Sequence, residues 1–177
     1  MKLPLGLTVG LGFAPYIVFS LFARAGSSNI GLWAALIAAG AIVLINRATK
    51  KPPRLLEIGA LALFAALTAF STVTAWAWTF MTLRLVVDCG LFFIIVVSLV
   101  VSQPFTSQYA RERVPESVQR SPRFLMVNTR ITTAWAVAFM ILIAAHTANL
   151  AGFGLSVGGD LVVTIAALSA AVFFSIR

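Results

Sequence analysis

Six long apolar runs, separated by short polar segments, make up most of the chain. A helix that crosses the hydrocarbon core of a membrane needs about 20 mainly apolar residues, and each run approaches this length with its flanks. Lipid offers no hydrogen-bond partner to the backbone, so each run must be a helix. The pattern predicts an all-α polytopic membrane bundle, with one domain over residues 1–177 and helices at Leu5–Phe22, Ile30–Ile45, Leu55–Thr72, Leu85–Val101, Ile131–His146 and Leu161–Ile176.

Two of the connections have a distinct composition. The segment Ser71–Arg84 alternates Thr with Ala and Trp, and its lower apolarity favours a surface helix or a shallow re-entry over a span of its own. The connection Thr147–Asp160 contains four glycines, which is typical of a loop with turns.

The basic residues predict the orientation of the helices. All but Arg24 and Arg84 fall on the side shared by the N-terminus, the second and fourth loops and the C-terminus. Cytoplasmic loops carry the excess of Lys and Arg, so both termini and the fourth loop, Gln103–Pro122, are expected in the cytoplasm. The residues on that side are Lys2, Arg47, Lys50, Lys51, Arg54, Arg111, Arg113, Arg120, Arg123, Arg130 and Arg177.

Composition agrees with this prediction and excludes several classes of protein. The chain is 60% hydrophobic and 10% charged, whereas a soluble domain carries about 25% charged residues. The basic residues that give the chain its net charge of +8 lie between the apolar runs. This placement indicates contact with anionic lipid headgroups and does not indicate nucleic acid. The single cysteine, Cys89, excludes an intrachain disulfide and a cysteine-based metal site.

Ionisable side chains inside the apolar runs are candidate functional residues, because burying them in lipid is costly. Arg84 and Asp88 are four residues apart and share a helix face, so they form either an anchoring ion pair or part of a proton or cation site. His146 lies at the outer end of the fifth helix, where its cation suits the helix dipole. Together with Asp88 and Asp160, it could form a polar cluster at that face.

The cytoplasmic loop Gln103–Pro122 is the longest polar segment. The spacing of Phe105 and Tyr109 predicts a short interfacial helix, with its aromatic face in the headgroups and its charged face outward. A solvated loop and a docking surface for another protein remain open as alternatives. The candidate interaction residues are Phe105, Gln108, Tyr109, Arg111, Glu112 and Arg113.

A second polar group is predicted at the cytoplasmic end of the helices. Asn128 and Arg130 enter the fifth helix near Tyr109 and Glu112, and could close a hydrogen-bonded cap. Glu57, in the first turn of the third helix, suits the helix dipole and is assigned to the same cap. We expect these residues to have a structural role before a catalytic one.

No motif for catalysis or for a cofactor is present. The chain has no HExxH sequence, no paired-histidine spacing for haem and no glycine-rich phosphate loop. We therefore expect no metal and no cofactor, and the sequence favours a non-enzymatic role while leaving enzymatic activity open.

The string PFTSQYARE, at Pro104–Glu112, is similar to that of bacterial membrane proteins related to the intracellular septation protein A family. The order of the features described above also resembles this family of bacterial inner-membrane proteins. The resemblance implies a multi-pass inner-membrane protein linked to division and envelope maintenance. The other matching strings are FAPYIVF (Phe13–Phe19), AIVLI (Ala41–Ile45), ALTAF (Ala66–Phe70), LVVSQ (Leu99–Gln103), and Asn128 followed by AWAVAF (Ala134–Phe139).

Two functional hypotheses follow. The first is a non-enzymatic envelope or septation protein that acts through its cytoplasmic loop, with anionic lipids and envelope or division proteins as partners. The second is a small channel or transporter with an ionisable site at Asp88, His146 or Glu57. Whether the chain forms an oligomer is left open by its sequence.

Overall fold

Helices make up nearly all of the structure, a computed structural model that describes residues 12–25, 27–52, 54–154 and 157–176. No strand occurs within those ranges. Side chains are described throughout them except for Arg113, Val157, Gly158 and Ile176. The helices are α1 (Ala14–Ala25), α2 (Ser28–Ala48), α3 (Leu55–Thr74), α4 (Phe80–Val100), α5 (Phe105–Ala110), a 3₁₀ turn (Arg111–Arg113), α6 (Glu116–Gln119), α7 (Pro122–Leu150) and α8 (Val157–Ile176).

The predicted all-α class is confirmed, and the described residues contain fewer long apolar helices than the six predicted spans. Among the described residues, α2, α3, α4 and α7 are long and apolar enough to cross a membrane. Two further apolar helices, α1 and the part of α8 at Gly159–Ser175, are shorter. The start of the predicted first helix, Lys2 and Arg177 lie outside the described residues. Large apolar side chains such as Ile37 and Phe93 remain about two-thirds exposed, at 68% and 67%, as expected for lipid-facing positions.

Helix α7 differs most from its predicted bounds. It has 29 residues and begins nine residues before the predicted start at Ile131. Ser121 caps it by accepting a hydrogen bond from the Phe124 N–H, and Pro122 occupies the first turn, where its missing N–H costs nothing. An apolarity criterion misses this start because Arg123, Asn128 and Arg130 interrupt the hydrophobic run.

The prediction of a surface helix or a shallow re-entry at Ser71–Arg84 is wrong. Helix α3 continues to Thr74 and α4 begins at Phe80, so only a short connection lies between them. The hydroxyls of Thr72 and Thr74 donate to the carbonyls of Thr68 and Phe70, four residues earlier, and threonine is thereby accommodated within a helix. Helix α3 ends where Ala75 adopts a left-handed conformation, with φ of 50°.

Three helices end in the same hydrogen-bonded motif. After α2, α4 and α7, a residue with positive φ donates its N–H to the carbonyl of the residue three positions earlier. The next residue donates its N–H to the carbonyl of the residue five positions earlier. This is the Schellman arrangement, which satisfies carbonyls that a helix end leaves without partners. The positive-φ residues are Lys50, Ser102 and Gly152, with φ of 53°, 54° and 79°.

The chain divides into two compact units, and the division falls within α4. In the unit Gly10–Gly90, α2 packs against both α1 and α3. The ring of Phe64 on α3 lies 5.2 Å from that of Tyr16 and 5.8 Å from that of Phe19, measured between centroids. Helices α1 and α2 approach so closely that a Cβ added at Gly31 would lie 2.5 Å from the Cβ of Ala23.

The second unit contains Leu91–Arg177, and α7 is its central helix. Helices α5, α6 and α8 each pack against α7. Trp135 on α7 is buried, makes an edge contact with Phe105 on α5, and donates its indole N–H to the Ser175 hydroxyl on α8 over 3.0 Å. This tryptophan therefore joins three helices of the unit.

Candidate functional site

The loop Gln103–Pro122 has two structurally different halves. We call Pro104–Ala110, which includes α5, the anchored half, because Phe105, Thr106, Ser107 and Tyr109 are at most 5% exposed. We call Arg111–Ser121 the exposed half, because most of its described side chains are open to solvent.

Hydroxyl groups hold the anchored half in place. Thr106 donates its hydroxyl hydrogen to the Asn128 carbonyl over 3.0 Å, and Thr132 then donates to the Thr106 oxygen over 2.9 Å. Asn128 is itself held by a 2.8 Å bond from its amide to the Phe124 carbonyl. At the other end, the buried Ser98 hydroxyl accepts from the Phe105 N–H over 3.2 Å. Because every one of these bonds is buried, the segment is part of the protein interior.

The exposed half is folded, although it is solvated. The Gln119 side-chain amide donates to the carbonyls of Arg111 and Val114 over 2.9 and 3.0 Å, and these bonds close the segment into a compact turn. Glu116 and Arg120 form a 2.7 Å ion pair whose side chains are 77% and 80% exposed. Val118, two residues from each of them in the sequence, is 42% exposed. The exposed half therefore presents an ion pair and an apolar side chain.

The predicted placement of the loop aromatics in the lipid headgroups is wrong. Phe105 and Tyr109 are completely buried in protein, so neither ring can contact lipid. The four-residue spacing does mark one face of a helix, but that face packs against α7. Among the other predicted interaction residues, Gln108 is partly buried, Arg111 and Glu112 are exposed, and the side chain of Arg113 lies outside the described set.

A buried ion pair occupies the junction of α2 and α3. Arg54 and Glu57 are 4% and 5% exposed, and their side chains meet at 2.8 Å. The Asn46 amide donates to the other carboxylate oxygen over 2.7 Å. Glu57 therefore has a permanent cation and a neutral donor, one on each oxygen, and this arrangement compensates its charge within an apolar unit.

A second buried carboxylate occupies the junction of α7 and α8. His146 and Asp160 are 1% and 5% exposed. The His146 Nε2 lies 3.3 Å from Asp160 Oδ1, and the Asn149 amide donates to the same oxygen over 2.9 Å. His146 and Asn149 are three residues apart on α7, so both side chains reach Asp160 from one helix face.

Of the four residues assigned to the predicted outer cluster, His146 and Asp160 are in contact. Arg84 and Asp88 lie on α4, in the unit Gly10–Gly90. Both α4 residues are partly buried.

Among the residues assigned to the predicted cap, Asn128 is buried in the network with Thr106, whereas Arg130 is exposed. The hydrogen bonds of Glu57 described above are made to Arg54 and Asn46, within the first unit.

Sequence reasoning missed four polar residues. Asn46 and Asn149 lie at the two helix junctions, and Thr106 and Thr132 join α5 to α7. The two asparagines share a signal that is visible in the sequence. Each lies in the last turn of one helix, eleven residues before an acidic residue in the first turn of the next helix. The two threonines offer no such signal, because threonine is frequent in this chain and only the docking of α5 pairs them.

The chemistry available at these junctions is that of charge pairing and proton exchange. Among the described residues, no group of three His, Cys, Asp or Glu side chains is placed to hold a metal ion. Comparisons of the chain with protein-family models, with curated proteins and with solved structures found no match.

Proposed function

We propose that the chain is a non-enzymatic, multi-pass protein of the bacterial inner membrane that supports envelope maintenance or septation. It would do so by presenting the exposed half of its cytoplasmic loop to a partner protein. The observation that carries this proposal is the division of the loop, in which a buried segment fixes the position of a folded, charged surface. The resemblance to the septation protein A family supports the link to division.

The charges of the exposed half favour a protein partner over lipid alone. Anionic headgroups attract Arg111 and Arg120 but repel the carboxylates of Glu112 and Glu116. A surface with both signs and an exposed apolar side chain suits an interface in which each charge has a partner. Pre-ordering of the segment by Gln119 also lowers the entropy cost of association.

Photo-crosslinking in the native bacterium tests this proposal. A crosslinking amino acid at Val118 should capture a specific protein, and Arg120→Glu should lower the yield about tenfold, equivalent to about 1.4 kcal/mol. Cells with this variant should also show misplaced or delayed septa. An exposed ion pair contributes little to stability, so the helical content should not change.

A crosslinker at Phe93, which is exposed on an apolar helix, is the matched control and should capture lipid. Capture of lipid alone at Val118, or a protein adduct that is unaffected by Arg120→Glu together with normal septa, would contradict the proposal.

The alternative function, a small channel or transporter, is favoured by one observation. Glu57, His146 and Asp160 are ionisable and at most 5% exposed within apolar helical units, and such groups often mark proton or ion pathways. Each nevertheless has a partner on its own helical hairpin, as expected of residues that stabilise the fold. Proton or cation flux in vesicles that contain the purified chain, abolished by Asp160→Asn, would favour this alternative.

A further inference from the structure

We propose that one face of α7 is a binding site for an anionic phospholipid, with the headgroup on Arg123 and Arg130 and an acyl chain along the apolar side chains that follow. The inference goes beyond the proposed function, because it concerns a lipid and uses none of the residues of the exposed half of the loop. It shares with that function the membrane location and the orientation that the basic residues predict, in which the start of α7 faces the cytoplasm.

The two arginines differ from other polar side chains in the first half of α7. Asn128 and Thr133 donate to backbone carbonyls four residues earlier, so their hydrogen bonds are made within the helix. Arg123 and Arg130 are exposed, and their side chains form no hydrogen bond or ion pair with the described residues. Helix α7 itself contains no acidic residue. Both guanidinium groups are therefore available to a ligand.

Arg123 and Arg130 lie on the same face of α7. Seven residues make almost two full turns, so the two positions are about 20° apart around the helix axis and about 10 Å apart along it. The Cα–Cβ bonds of a helix tilt toward its N-terminus, which is the predicted cytoplasmic end of α7, so the Arg130 side chain leans toward the headgroups. Arg130 directly precedes the apolar run that begins at Ile131, whereas Arg123 adds a second positive charge further out.

The same face continues along α7 as a strip of exposed apolar side chains. Val137 and Ile141 follow Arg130 by seven and eleven residues, which returns each of them to its side of the helix. Both are about half exposed, as is Met126 between the two arginines. A cationic end that continues into an apolar strip matches the two parts of an anionic phospholipid, the charged headgroup and the acyl chain.

Charge favours a lipid over a second copy of this chain on the same face. Two copies in one membrane share their orientation, so a symmetric contact through this face would place arginine against arginine, with no acidic residue on α7 to compensate. A phosphate suits a guanidinium group, which can donate two parallel hydrogen bonds to it. Phospholipid phosphates lie at the level where the apolar part of a spanning helix begins, and an arginine at that level is costly without a partner.

Photo-crosslinking of the full chain in vesicles of equal parts phosphatidylglycerol and phosphatidylcholine tests the site. A crosslinking amino acid at Met126 should capture the anionic lipid about fivefold more often than the zwitterionic one, the ratio expected from the attraction of one arginine. The same amino acid at Phe93, exposed on the apolar helix α4, is the control for bulk lipid and should capture both lipids about equally. This comparison requires no substitution of an arginine, so it does not depend on how such variants fold.

Substitution of the arginines then assigns the preference to this face. Arg130→Gln should lower the ratio at Met126, and the double variant with Arg123→Gln should bring it to the ratio at Phe93. Arg120→Gln is the matched control, because it removes an equal charge from an arginine that is already paired with Glu116. It should leave the ratio unchanged.

Three results would overturn the proposal. The first is equal capture of the two lipids at Met126 in the chain with its native arginines. The second is a ratio that falls as much in Arg120→Gln as in Arg130→Gln, because the preference would then follow the net charge of the chain. The third is capture of a protein in place of lipid when the crosslinker at Met126 is used in native membranes.

Discussion

Two helical hairpins of this protein bury a carboxylate in a similar arrangement, but place different basic side chains against it. In the α2–α3 hairpin the acid is Glu57, and in the α7–α8 hairpin it is Asp160. Each acid lies in the first turn of the second helix and accepts a hydrogen bond from an asparagine eleven residues earlier. In each, a residue with positive φ follows the first helix. The basic side chain in contact with the acid is the permanently charged Arg54 in one hairpin and the imidazole of His146 in the other.

The two basic side chains differ in where they lie relative to the acid. Arg54 also precedes the helix that carries Glu57, so acid and base come from the same local segment. His146 lies on the helix opposite Asp160, so that contact joins two helices. A change of charge at His146 therefore acts between helices, whereas a change at Arg54 would act first within a single helical turn.

The largest effect is expected at the buried Arg54–Glu57 ion pair. Arg54→Leu leaves a buried carboxylate with only the Asn46 amide, and we expect a loss of about 3–5 kcal/mol in the free energy of unfolding. Equilibrium unfolding in mixed detergent micelles measures it. A loss below about 1 kcal/mol would show that water compensates the carboxylate.

An intermediate effect is expected at the two asparagines. Removing a hydrogen bond to a charged group costs about 1.5–3 kcal/mol, so Asn46→Ala and Asn149→Ala should each destabilise the protein within that range. The two losses should be similar, because each amide donates to a buried carboxylate. Equilibrium unfolding of both variants in mixed detergent micelles measures them. A loss below about 0.5 kcal/mol at either site would contradict the prediction.

The smallest effect is expected at the turns that follow α2 and α7, where Lys50 and Gly152 both have positive φ. Gly152→Ala places a side chain at φ of 79° and should cost about 1–2 kcal/mol. Lys50→Gly relieves that strain at φ of 53°, and should stabilise the α2–α3 hairpin by less than about 1 kcal/mol, because glycine also adds entropy to the unfolded chain. Thermal unfolding of both variants tests the pair, and changes of the same sign would contradict the prediction.

The sites of the buried carboxylates could be predicted from the sequence only in part. Glu57, His146 and Asp160 could be selected as candidates because ionisable residues in apolar runs are rare and costly. Their partners could not be selected in the same way. Asn46 and Asn149 are unremarkable in composition, and their role depends on the angle at which two helices meet after a turn.

The loop is a second example of the same limit. Its polarity marks it as an interruption between helices, and the spacing of Phe105 and Tyr109 correctly indicates one helical face. The pattern does not say whether that face meets lipid or protein, because both are apolar environments. The bonds from Thr106 to Asn128 and Thr132 decide in favour of protein.

The sequence by itself determined the all-α class and the membrane-like apolarity of the chain, because lipid permits only polypeptide whose backbone groups are paired within helices. It also determined approximate helix positions, through the length of each apolar run. The tertiary structure alone decided which half of the loop is buried, and which cation faces each carboxylate. These outcomes depend on contacts of a few ångströms between residues that are distant in the chain, and apolar helices can pack in many ways with the same hydrophobic pattern.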